Sequence, residues 1–477
     1  MIVQFNRMKV RCRMAPSPTG EYHIGHIRTL LYNYAWAKKN NGQLILRIED
    51  TDRERYVEGA VDRILEVITD YGVSWDEGPR IGGPHEPYYQ SQRLDLYCKY
   101  AIELVRSGKA YYCFCTKERL ETLRKQQEKD HKLPGYDRHC RNIRREESEK
   151  RVAAGEPYVI RMKVPDNEEI SFEDFVQGEV TVNSSVLDDQ ILLKSDGYPT
   201  YHLAVVVDDH LMEITHIIRG NEWISSTPKH VLLYRFFGWD MPKVGHLPVF
   251  LDPSGEGKMS KRRGSVSARS FLEAGYLPEA LDNYLILLGW NPGTERELFT
   301  LQEFTSAFDL NHLNKSNPRF TYEKLKWFNQ QYIRSLDNVT LAKRLEKFTS
   351  REEAEIAKVL PLVKERMVTL RDFDRLTDYF FEEPKGSDDI FAKVAGISAQ
   401  VLDHAIKTLS ENWDGKVLEE NARAFCAEKN IKVGDYFMVL RIAITGKAQT
   451  PPLWDVMEIL GKDEIVSRLG SSLLLVD

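Results

Sequence analysis

Cysteine is scarce, no long apolar run occurs and neither charge dominates, and each shortage removes a class of protein. Six cysteines scattered irregularly over 477 residues cannot staple a chain of this length, so a disulfide scaffold is excluded. No stretch approaches the ~20 uninterrupted apolar residues that a membrane helix needs. The residues up to Pro16 lack the apolar core and cleavage site of a secretory leader, so a cytoplasmic protein is expected. A net charge of −6 argues against a uniformly basic body that coats nucleic acid, while leaving local basic surfaces open. There is no Walker loop, no dinucleotide fingerprint opening a helix after the first strand, and no internal repeat.

What is present reads as several domains, because one hydrophobic core rarely organises so long a chain. Val10–Met14 reads as a strand, broken by Pro16, Ser17, Pro18, Thr19 and Gly20. From His23, Ile27, Leu30, Leu31, Tyr34 and Ala35 recur at helical spacing, and Gln43–Ile48 is a second strand. Thr51 with Glu54 predicts a capping box, followed by a helix with Val57, Val61, Ile64, Leu65 and Ile68 on one face. Such alternation opens a parallel α/β sheet. A charged stretch from Lys117 to Arg151 looks like an insertion; strands are expected at Tyr158–Val164, Glu179–Val182, Leu203–Val207 and Ile214–Ile218, and a helix at Thr227–Phe237. Beyond Pro278 the pattern is helical, with helices expected at Ala280–Leu288, Glu323–Tyr332, Glu352–Val363 and Leu453–Leu460.

Two constellations carry chemistry. Arg13 to Gly20 runs into His23-Ile24-Gly25-His26, so a strand ends, a proline-rich turn follows, and a helix starts beneath two imidazoles. A helix N-terminus offers unpaired N–H groups and a positive dipole end, which suits phosphate. Gly25 lets a flat base approach the backbone. The bland alternative is a helix cap with two surface histidines. The second constellation, Lys258-Met259-Ser260-Lys261-Arg262, lies in a glycine-rich loop that could close on a pyrophosphate. A solvated basic turn is its bland reading.

The two together, about 230 residues apart, resemble the paired histidine and lysine motifs of class I aminoacyl-tRNA synthetases. Arg13-Met-Ala-Pro-Ser-Pro-Thr-Gly, Arg47-Ile-Glu-Asp-Thr-Asp52, Leu193 to His202, Val207 to Met212, Ile217-Ile-Arg-Gly220 and Thr450 to Met457 narrow the resemblance to bacterial glutamyl-tRNA synthetases. The resemblance implies a Rossmann-type parallel-sheet α/β catalytic domain (1–110 and 190–255) with an inserted α+β acceptor-stem subdomain (111–189). A lysine-motif and stem-contact region (256–334) and an all-α anticodon-binding region (335–477) follow. It implies ATP at Ser17, His23, Gly25, His26, Lys258, Met259, Ser260, Lys261 and Arg262, with Mg²⁺ on the phosphates. Catalysis would rest on His23, His26, Lys258 and Lys261.

By the same resemblance Arg13, Ala15, Ser17, Glu49, Tyr201 and Arg219 line a pocket for L-glutamate. The physics agrees: an ammonium needs a carboxylate such as Glu49, and two carboxylates need guanidinium partners such as Arg13 and Arg219. Buried structural ion pairs are the bland alternative for Glu49 and Arg219. Arg219 also separates this chain from glutaminyl enzymes, which carry an uncharged residue there. Val205 stands where some members have asparagine. Asp208-Asp209-His210 could suggest a metal, but adjacent carboxylates after a buried strand are better read as bracing the sheet edge. Cys113, Cys115 and Cys140, with Tyr136 or His139, resemble a zinc knuckle of some members; Asn142 replaces a histidine ligand used elsewhere, and three reduced thiols in a small core remain the alternative. The implied partner is tRNA(Glu), with Arg366 a candidate anticodon reader; no DNA and no membrane partner is expected, and a monomer is the family expectation. A catalytically silent RNA-binding scaffold is the rival from another class.

Overall fold

The structure, a computed structural model, describes residues 9–476 apart from 133, 255–256, 260–265 and 385–394. The chain falls into two compact units. One is the chain up to Phe271 together with Leu281–Tyr322; the other joins Leu272–Ala280 to the chain from Glu323 onward.

The first unit is built on a six-stranded sheet. Its strands are β1 (Arg11–Met14), β2 (Gln43–Leu46), β5 (Glu169–Asp174), β6 (Gly178–Asn183), β8 (His216–Gly220) and β9 (Lys243–Leu247), in the order β2-β1-β8-β9-β5-β6. All neighbours are parallel except the β5–β6 hairpin. A separate antiparallel sheet joins β3 (Ala110–Cys113), β4 (Val159–Met162) and β7 (Ile191–Leu193). Helix α1 (Ile24–Lys39) links β1 to β2, so the chain runs outward one way from β1, whereas β8 and β9 lie on its other side. The direction of winding therefore reverses between β1 and β8. Open parallel sheets bind ligands in the crevice beyond the carboxyl ends of the strands at such a switch point.

Two elements differ from the sequence reading. Leu203–Val207, expected as a strand, lies within a helix, Tyr201–Leu211. Residues 203 to 209 are all buried in it, so no amphipathic stripe separates this helix from a short apolar strand. Thr51 does not cap a helix. The next helix begins at Ala60, behind Gly59 in the left-handed region (φ 69°), and the Val57 N–H bonds to the Pro18 carbonyl instead. The helix Thr227–Phe237 has the expected ends, and so has Leu453–Leu460.

Buried charge ties β1, β2 and the Tyr201–Leu211 helix together. The fully buried Arg47 guanidinium donates to Asp209 at 2.8 Å and to Glu49 at 3.0 Å, with Asp208 3.7 Å away. Asp209 also receives Arg13 at 3.3 Å, and Asp208 receives Arg93 Nε, Gln90 Nε2 and Tyr97 Oη at 2.8, 2.9 and 2.7 Å. Both aspartates are engaged by donors from other elements, and they sit on a helix rather than after a strand.

The second unit is helical throughout its described residues. Two apolar cores hold it, one around Ile356, Val359, Leu360 and Phe373, the other around Val401, Leu402, Tyr436 and Val439.

Removing one partner of a buried ionic cluster strands the others. Arg47→Met is expected to lower the stability of the first unit by about 3–5 kcal/mol in urea unfolding of the full chain, and a loss below about 1 kcal/mol would contradict the assigned role.

Candidate active site

The carboxyl ends of β1, β2, β8 and β9 open into one cleft of about 410 Å³, within the range of small-molecule sites. Arg13, Ala15 and Ser17 reach it from β1 and the turn after it, and His23, Gly25 and His26 from the start of α1. Glu49 enters from beyond β2, Tyr201 from its helix start, Arg219 from β8, Trp223 from the turn after it, and Lys258 and Met259 from the loop after β9. The early imidazoles and the first two residues of the late lysine motif, Lys258 and Met259, therefore share a cleft. Of the lysine motif, Ser260, Lys261 and Arg262 lie outside the described residues.

His23 is the N-cap of α1: its Nδ1 accepts the Gly25 N–H at 2.9 Å. This bond turns the ring across the helix end, with the His26 ring 6.0 Å away. A Cβ at Gly25 would lie 3.1 Å from that Nδ1, so a side chain there would press on the capping ring. Lys258 is exposed on a short hairpin, held by the Met259 N–H to the Phe250 carbonyl at 2.9 Å and the Asp252 N–H to the Gly257 carbonyl at 3.0 Å. Beneath it, Arg28 lies over the Phe250 ring at 4.2 Å and bonds the Pro248 carbonyl.

The end of the cleft around Glu49, Arg13 and Arg219 is charged and buried. Glu49 is 8% exposed, and its one direct charged partner among the described residues is Arg47, already shared with Asp209. Burial pushes its carboxyl up, against the lowering pull of Arg47 and Arg13. An ammonium beside Glu49 would supply the missing compensation. Across the cleft Arg219 donates to the Tyr201 hydroxyl at 3.0 Å, and the Tyr201 and Trp223 rings lie 4.2 Å apart. Val205 is one turn beyond Tyr201, buried in the apolar core rather than in the cleft wall.

Residues 9–327 match the class I tRNA synthetase catalytic domain for E and Q, and 340–473 match an anticodon-binding domain. A glutamate–tRNA ligase of Finegoldia magna is 44% identical, covering 98% of this chain and 99% of that one. A glutamate–tRNA ligase of Clostridium tetani is 43% identical, covering 97% of each. The crystal structure of a glutamate tRNA ligase from Elizabethkingia meningosepticum, in complex with its amino acid, superposes with a TM-score of 0.89 at 36% identity, covering 98% of this chain and 100% of that one. The chain belongs to the glutamate–tRNA ligases of class I. Glutamate–tRNA ligation with ATP is the activity that goes with this membership, and the helical region from 340 is its anticodon-binding part. No described helix is long and apolar enough to cross a membrane.

A second cluster sits at the end of β3. The sulfurs of Cys113, Cys115 and Cys140 lie within 4.8 Å of one another. Tetrahedral zinc with Zn–S bonds near 2.3 Å requires S···S separations of about 3.8 Å, so modest contraction suffices. The Tyr136 hydroxyl is 3.3 and 3.4 Å from the sulfurs of Cys113 and Cys115, whereas His139 is exposed and outside the group. Burial pushes the Cys115 thiol up to about 12. Burial alone would also raise Cys113, but the Tyr136 hydrogen bond and Arg161 hold it below the usual range. The group can hold a zinc ion.

Sequence reading missed His230, His246 and Asp174, which back the cleft. The one available signal was a histidine among the buried residues of β9. Several imidazoles are kept neutral by burial: His202 is lowered to about 3 and His216 to about 4, with His230 and His246 lowered too. A histidine whose folded pKa is depressed contributes stability that is complete above its unfolded value, near 6.5, and is lost as pH falls through it. Each is expected to remove about 1.4 kcal/mol per pH unit below that value, until its own folded pKa is reached. Urea unfolding should therefore show a clear drop between pH 7.5 and 5.5, and a flat profile over that window would refute the buried neutral imidazoles.

Proposed function

We propose that the cleft joins glutamate to ATP and then to tRNA(Glu) in two steps. Glutamate's α-carboxylate attacks the α-phosphorus, forming glutamyl-adenylate as the bond to pyrophosphate breaks. The terminal ribose hydroxyl of tRNA then takes the glutamyl group and AMP leaves. The observation that carries this reading is one cleft at the β1/β8 switch point lined by His23, His26 and Lys258 at one end and by Glu49, Arg13 and Arg219 at the other.

In this reading Glu49 holds the substrate ammonium, and Arg13 and Arg219 face its carboxylates, with Ala15, Ser17 and Tyr201 shaping the wall. No side-chain nucleophile is needed, so the residues act by positioning and by meeting developing negative charge. His23, at the positive end of α1, and His26 donate to phosphate oxygens, with Gly25 leaving room for the base. Lys258 faces the pyrophosphate from the hairpin after β9, and Ser260, Lys261 and Arg262 of the same motif would add further donors. A Mg²⁺ ion bound with ATP would neutralise further phosphate charge. Span 111–189 would meet the acceptor stem. In the helical region Arg366 remains the candidate for reading a base.

ATP–pyrophosphate exchange is expected to require glutamate and to rise sharply with cognate tRNA. His23→Ala should lower it by about 10²–10³-fold while moving the glutamate KM little. Exchange without glutamate, or an unaffected variant, would overturn the reading.

Cys113, Cys115, Cys140 and Tyr136 would together hold one structural zinc. Metal analysis by mass spectrometry should find one zinc per chain, lost in Cys140→Ser; metal-free protein from zinc-replete medium would favour reduced thiols instead.

A further inference from the structure

Arg219 sits at the carboxyl end of β8, where the register places His246 of β9 directly opposite; Asp174 ends β5, the strand beyond. The three side chains form a line across three strands. His246 is fully buried, and Asp174 and Arg219 are nearly so.

The hydrogen bonds allow only one arrangement of protons. Arg219 Nε, which can only donate, is 2.9 Å from His246 Nε2, so that nitrogen carries no proton. His246 Nδ1 is 2.5 Å from Asp174 Oδ2 and must be the N–H that donates to it. Both contacts select the same neutral tautomer. Asp174 cannot turn away, because its Oδ1 accepts the N–H groups of Val176, Gln177 and His246 at 2.8, 2.9 and 3.3 Å. Gln177 Nε2 further anchors the His246 carbonyl at 2.9 Å.

The remaining partners of Arg219 are also neutral. They are the Tyr201 hydroxyl at 3.0 Å, the Thr227 hydroxyl at 2.8 Å and the Trp223 carbonyl at 3.4 Å, with His230 Nδ1 at 3.5 Å. Among the described residues no carboxylate pairs with it directly. Arg13 and Arg47, by contrast, both pair with Asp209. The buried anion nearest along the line, Asp174, is held off by the width of an imidazole. Arg219 is thus fixed in place while its charge is left without a direct counter-ion.

We propose that Asp174 and His246 are positioning residues that hold Arg219 as an un-neutralised cation, and that the preference for a substrate side-chain carboxylate over an amide depends on them. This rests on the reading that Arg219 receives that carboxylate. A direct Asp–Arg pair would hold the guanidinium as firmly but satisfy it. An amide would then lose less by comparison, and selectivity would fall. Neutral acceptors supply orientation and leave the charge for the ligand, so an amide that cannot complete the pair is rejected.

The test measures KM for glutamate, glutamine and ATP in pyrophosphate exchange with saturating tRNA. His246→Phe fills the space without an acceptor, His246→Gln restores an acceptor near the Nε2 position, and Asp174→Asn leaves the tautomer undetermined. The expected result for His246→Phe is a glutamate KM raised about 10- to 100-fold, a similar loss of glutamate-over-glutamine preference and an ATP KM within about twofold. His246→Gln should recover most of this, and Asp174→Asn should show a smaller rise of the same kind. Should His246→Phe not fold, Asp174→Asn decides alone. Folded variants with wild-type glutamate KM and selectivity, or with glutamate and ATP KM raised equally, would overturn the proposal. Arg219→Leu separates the two levels: if it leaves the glutamate KM unchanged, the reading of Arg219 itself has failed.

Discussion

The Arg47 guanidinium, with no exposure to solvent, joins three stretches of chain that must come together before there is a cleft. It reaches Glu49 on its own strand's extension and Asp209 and Asp208 on the Tyr201–Leu211 helix, and through Asp209 it fixes Arg13 of β1. Burying several charges is costly in isolation, and the cluster offsets that cost by pairing Arg47 with Glu49 and Asp209, and Asp208 with Arg93. Its consequence is local. Glu49 is oriented but under-compensated, which is the condition under which a buried carboxylate binds a cation well.

The cleft is thereby divided electrostatically. At one end an acidic side chain lacks a cation; at the other a cation, Arg219, lacks a direct anion. A zwitterion with a further carboxylate completes both. The other end, where we propose the phosphates bind, obeys the same logic with weaker, more exposed groups: a helix N-terminus, two imidazoles and a lysine on a hairpin opposite. Interactions stronger with developing charge than with the resting substrate are those that accelerate the chemistry. Exposed, adjustable groups at the reacting end and rigid, buried groups at the recognition end fit that division.

The phosphate end was the more legible in sequence. A strand stopped by Pro16 and Pro18, followed by a helix capped by His23, is written in consecutive residues, and so is the lysine motif. Glu49, Arg13 and Arg219 could be assigned only through family resemblance. The partners that orient them were not legible at all: Asp174 and His246 are 72 residues apart, and Arg219 and His246 are 27 apart, brought together only by strand order. The helix Tyr201–Leu211 was misread for a related reason. It is buried along most of its length, so its sequence carries no polar face to betray its period. The guanidinium partners of Asp208 and Asp209 lie on other elements and left no local trace.

The most direct test is a crystal structure with a non-hydrolysable glutamyl-adenylate analogue. The ammonium is expected against Glu49, the side-chain carboxylate on Arg219 with the His246 and Tyr201 contacts intact, and the phosphate beside the start of the helix that His23 caps. An analogue bound with its side-chain carboxylate away from Arg219, or outside the crevice between β1 and β8, would contradict the account.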